Sequence, residues 1–194
     1  MSTIDGYVDE IESFVDDVIE WRAEASAESR EVPTEFGKDV ISFTAVNFFD
    51  HTLDVLEAAG ELIEADRQGM DVSQVEDVIH EYNEARFSQM TTWYEHRTAV
   101  ENVESELSES RDGNYPVFAE DIQENIWEGL DATRQVHEHV QETDYAQEVE
   151  NQYEELMQEE EATVNFIESI EQAYDDVSFQ EGMELLEEEG NPAR

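Results

Sequence analysis

Cysteine is absent from the 194 residues. That leaves no disulfide framework, no thiol nucleophile and no Cys-ligated metal or cluster. Lysine is nearly absent too: of 9 basic residues only Lys38 is a lysine, and the others are arginine. Against 53 acids, so few cations cannot be gathered into a basic patch. Duplex binding rests on Lys and Arg neutralising phosphates, so contact with nucleic acid is not expected. No apolar run approaches the roughly 20 residues that span a bilayer, and no transmembrane segment is expected. The opening Met1 to Asp5 shows neither the basic nor the apolar stretch of a secretory signal, so the expected location is the cytoplasm. No window sustains period-two alternation, which speaks against a sheet. There is no Gly-rich phosphate loop, no His-Glu-x-x-His sequence and no Ser/His/Asp arrangement, so neither catalysis nor a cofactor is expected.

What is present is acid, with a formal net charge of −44. Such a surface repels itself in dilute buffer and opposes the compact state. In about 1 M salt the Debye length falls to about 3 Å, and most of that repulsion is screened. The acid is spread over every segment rather than held in one block. With the near-absence of lysine, this resembles the habit of halophiles that keep molar salt in the cytoplasm. A surface made to bind something basic is the competing reading.

Hydrophobic residues make up 39% of the chain and are patterned, so it is not a disordered acidic tail. A single domain over 1–194 is expected. Its centre is a hairpin over about 36–109. The second helix places Val40, Ile41, Ala45, Phe48, Phe49, Leu53, Val55, Leu56, Ala59, Leu62 and Ile63 on one broad arc at about 100° per residue. Gly69 follows where a left-handed C-cap favours glycine. Asp71 with Gln74 and Ser73 with Glu76 form two overlapping capping boxes, and Met70 with Val75 has the spacing of a staple. The third helix has apolar residues over nearly half its circumference and is the expected central element.

The first helix covers about 5–27, on a stripe of Ile4, Val8, Ile11, Val15 and Val18. Pro33 and Pro116 suit helix starts, with Gly113 and Asn114 supplying a turn before the fourth helix. That helix runs to about Gln141. Thr143 or Asp144 can cap a fifth helix, 145–177, unless this weaker break is a kink in one long helix. A tail follows over 178–194. The fold class is all-α: an antiparallel up-down bundle of four long helices plus an N-terminal helix.

Several polar residues fall inside apolar stripes: Arg22, Arg86, Gln89, His96, His137 and Glu160. At about 1.5 Å rise per residue, chain reversals near Gly113 and Thr143 bring Glu160 to the depth of His96. A hydrogen-bonded His96–Glu160 pair in the core is the result expected, its role being to fix register. His137 and His139 lie two apart, share no helix face and read as surface residues. Apolar residues also exceed one seam. Phe87, Tyr94 and Trp127 are the candidates for a contact surface.

A carboxylate-rich all-α bundle with five histidines resembles the ferritin-like di-iron family. That family's mark is Glu-x-x-His on each of two helices. The residues three before His51, His80, His96, His137 and His139 are Phe48, Asp77, Trp93, Arg134 and Val136. Asp77-x-x-His80 is the nearest approach, and His80 faces away from the apolar stripe. No metal ligand is therefore assigned. Long amphipathic helices also resemble phasin-type granule coats, as a class only. The expected function is that of a non-catalytic interaction or assembly protein in high salt, through a protein partner or self-association. A carboxylate/histidine metal-binding bundle and a phasin-like coat are the alternatives.

Overall fold

A computed structural model describes residues 3–28, 35–110 and 120–159. The link at Pro33, the break around Gly113, the later part of the fifth helix and the tail 178–194 lie outside the described residues. Within them the chain is all-helical, with five helices and no strand: α1 (Thr3–Glu28), α2 (Glu35–Arg67), α3 (Val72–Ser110), α4 (Glu120–Val140) and α5 (Ala146–Glu159). None of these helices is long and apolar enough to cross a membrane.

The turn between α2 and α3 forms as its sequence dictates. Gly69 takes a positive φ of 69°. Its N–H donates to Asp66 O and the Met70 N–H donates to Ala65 O, the paired bonds of a Schellman cap. Asp71 then starts α3, and the Gln74 side chain accepts from the Asp71 N–H at 2.9 Å. Of the first capping box the Gln74 half is formed, while the Gln74 N–H donates to the Asp71 carbonyl. Ser73, offered by the second, lies inside α3. Beyond the turn α3 folds back along α2: Thr52 meets Gln89 and Thr44 meets His96, positions that fall on one helix as they rise on the other.

Residues 141–145 are a true break between α4 and α5. Thr143 accepts from the Tyr145 N–H and donates to Val140 O. It shapes the turn, while the first helical bond of α5 runs from Val149 N–H to Tyr145 O. This turn lies against the α2–α3 turn. Tyr145 donates its hydroxyl to Met70 O at 2.7 Å, and the Asp144 N–H donates to Asp66 at 2.9 Å. The start of α1 arrives at the same end, where the Tyr7 hydroxyl donates to Glu142.

Among the described residues α2 packs against α1, α3 and α4, and α3 meets α2, α4 and α5 through Gln89, Tyr82 and Asn83. The third helix, expected to be central, thus shares that place with α2. Residue size gives α2 its part. Alanines 45, 58, 59 and 65 and the fully buried Phe48, Phe49, Leu56 and Leu62 let neighbours approach α2 from several sides. On α4, Gly129 comes so close to Phe48 that a Cβ there would meet the ring at 3.1 Å. Phe48 and Phe49 meet edge to face, as do Trp93 and Trp127, at centroid distances of 5.3 and 5.6 Å. Such contacts add about 0.5–1.5 kcal/mol each to simple burial.

Candidate functional site

Threonines set into apolar stripes carry the first polar layer. Gln89 on α3 donates its amide hydrogens to Thr52 on α2 at 2.9 Å and to Thr133 on α4 at 3.3 Å. All three are buried. Each threonine hydroxyl also reaches a carbonyl in its own helix, Phe48 O for Thr52 and Leu130 O for Thr133. The layer is satisfied from within and ties three helices at one depth.

His96 is 2% exposed. Its Nδ1 lies 2.9 Å from the hydroxyl of Thr44, which in turn reaches Val40 O at 2.9 Å. With the hydroxyl hydrogen on that carbonyl, Nδ1 carries the imidazole proton and donates it to Thr44. Nε2 then presents a lone pair, and it has no hydrogen-bond partner among the described residues. Burial lowers the pKa of His96 from 6.5 to about 4, so the ring is neutral at pH 7. Glu160 lies outside the described residues. The partner found for Nδ1 is Thr44.

The richest constellation joins α3, α4 and α5. The Tyr82 hydroxyl lies 2.9 Å from His137 Nδ1. On the other side of the imidazole, Nε2 lies 3.5 Å from Glu150, which also accepts from Gln141 at 2.7 Å and faces Arg86 at 3.6 Å. Arg86 sits over the Tyr153 ring at 4.1 Å. Nearby, Asn83 donates to Val149 O at 2.8 Å. Burial pushes Tyr82 up to about 12. Burial first, then Arg86, pulls His137 down to about 3. Both are neutral near pH 7 and poorly matched to proton transfer there. The geometry pins α5 to α3 and α4.

This corrects the surface reading of the two neighbouring histidines. His137 turns to Tyr82, whereas His139 stacks on Tyr7 of α1 at 3.7 Å and bonds Glu10 at 2.8 Å. They do diverge, as residues two apart must, but each holds a different neighbour. His80 is surface-facing and pairs with Glu84 at 3.2 Å. Arg22 is exposed and grips Asp50 with two guanidinium nitrogens. Among the described residues no group of three or more His, Asp or Glu side chains could hold a metal ion.

The contact-surface candidates divide. Tyr94 is 42% exposed, and Phe87 is half-buried against the core. Trp127 is 6% exposed and lies in the core against Trp93, so it is not a surface residue. Sequence reasoning missed Phe43 on α2, the most open large apolar side chain among the described residues at 65%, and Ile19 on α1 at 52%. It also missed Tyr82, Asn83 and Glu150 as partners of the polar stripe residues. The signal for Phe43 was available: it falls on the acidic arc of α2 with Asp50, Asp54 and Glu61. Compared with known protein families, characterised proteins and solved structures, the chain matches none.

Proposed function

We propose that this chain is a non-catalytic interaction or assembly protein adapted to high salt. On this reading it acts in the cytoplasm as an antiparallel up-down bundle of four long helices with α1 as a fifth member. Support for that arrangement comes from the two hairpin turns and the start of α1 meeting at one end, through Tyr145–Met70 and Tyr7–Glu142. The observation that carries the function is a division of roles. The inward polar groups around Gln89 and Tyr82 bond one another across helices, while Phe43, Ile19 and Tyr94 turn outward. The satisfied groups around Gln89 and Tyr82 hold the helices in register. Outward apolar groups gain by association, with another copy or another protein.

High-salt adaptation rests on the net charge of −44. The test is native mass by light scattering on protein kept in about 3 M KCl, where exposed charges are screened, with metals measured on the same peak. A metal-free species larger than one chain is expected. A single chain carrying stoichiometric iron, manganese or zinc would refute the reading.

A further inference from the structure

The N-terminal half of α1, the C-terminal half of α2 and the start of α3 enclose a groove of about 690 Å³. Val8, Ile11, Leu56, Met70, Val75 and Val78 give it apolar walls. Glu12, Glu57, Glu61 and Glu64 also line it, and among the described residues no lysine, arginine or histidine does. Glu64 is engaged by Arg67 and Gln68. Glu12, Glu57 and Glu61 have no cationic partner among the described residues. Gly60 sits among them. A mid-helix glycine weakens a helix relative to alanine, yet nothing in the packing requires one here. A Cβ at Gly60 would meet only Ile11, at an ordinary contact distance of 3.9 Å. The missing side chain leaves the groove open.

We infer that this groove docks an amphipathic helix of another protein, one whose apolar stripe is flanked by lysine or arginine. The inference rests on the contact-protein reading and gives the partner its chemistry. From Leu56 to Gln68 the groove follows α2 for roughly 18 Å at about 1.5 Å per residue. That length suits about three turns of helix with anchors at i, i+4 and i+7. The apolar walls take the anchors, and the three uncompensated glutamates take the flanking cations. A second copy of this chain does not fit, because it would bring more acid. Its described arginines already face acids of their own chain: Arg22 with Asp50, Arg67 with Glu64, Arg86 with Glu150, Arg97 with Glu101 and Arg134 with Asp131.

The test is titration of the full chain with a labelled Ala/Lys helical peptide of about 18 residues carrying leucines at i, i+4 and i+7. It is run in about 2 M KCl, so that long-range attraction to the acidic surface is screened. Binding of one peptide per chain is expected. A scrambled peptide of the same composition should bind at least tenfold more weakly. Gly60→Met, which fills the groove, should weaken the leucine peptide at least tenfold. Glu57→Gln with Glu61→Gln changes only exposed side chains, preserves the fold by circular dichroism, and should weaken it severalfold. Equal binding of the scrambled peptide, or binding unchanged in both variants, overturns the inference. In that event a native mass above one chain still leaves the contact-protein reading standing. Absence of peptide binding by a chain that is also monomeric removes both.

Discussion

Acidification should weaken the fold through His96, with a sign that identifies its environment. The ring is neutral in the folded chain because burial lowers its pKa from 6.5 to about 4. At this group the unfolded chain therefore binds one more proton than the folded chain between those values. Stability from this group is full above pH 6.5 and falls as the pH drops towards 4. Evaluating the linkage at pH 5 gives a loss of about 2 kcal/mol relative to pH 7.5. His137, lowered to about 3 by burial and Arg86, acts in the same direction, and Glu128, raised by burial, acts in the opposite one, so a bare pH profile does not isolate His96. Replacing His96 by Asn keeps a donor for Thr44 and removes the titration. Unfolding in urea at pH 7.5 and pH 5, in constant high salt, then gives the difference directly. The variant should lose about 2 kcal/mol less than the wild type over that interval. Parallel losses would mean the imidazole is solvated. A wild type that gains on the variant would mean a carboxylate partner raises the pKa, as the pairing with Glu160 would require.

Other perturbations follow from the same packing. Gln89→Leu leaves both threonine hydroxyls their backbone carbonyls, so it should change stability by no more than about 1 kcal/mol, whereas Gln89→Glu buries a charge and should cost several; denaturant midpoints separate the two. Gly69→Ala forces a Cβ into a left-handed cap with φ 69° and should cost about 1 kcal/mol, read as a lowered melting temperature. High-salt adaptation predicts a melting temperature that rises steeply with KCl, because a net charge of −44 repels itself when unscreened. A melting temperature flat from about 0.2 to 3 M would contradict it.

Local signals were legible and distant ones were not. The hairpin turn is written within a few consecutive residues, since Gly69, Asp71 and Gln74 act on their own backbone. Apolar periodicity likewise located the five described helices. The Tyr82–His137–Glu150 constellation draws on three helices and needs their relative depth known to within about half a turn. Thr52 and Thr133 carry no mark separating them from surface threonines until Gln89 is placed between them. Trp127 shows the same limit, because a helical wheel finds an apolar face but not what covers it. Trp93 covers it. The part α2 plays beside α3 was hidden in its alanines, which contribute little to an apolar stripe and much to close approach.

Association through outward apolar residues is the central claim, and sedimentation equilibrium tests it most directly. Wild type is compared with Phe43→Ser, Tyr94→Ser and their combination, all in about 3 M KCl. Both side chains are largely open to solvent, at 65% and 42%, so the substitutions should leave the helical content by circular dichroism unchanged. A wild-type mass above one chain that falls towards the monomer in the double variant is the expected result. A mass that is the same in all four proteins would contradict the claim.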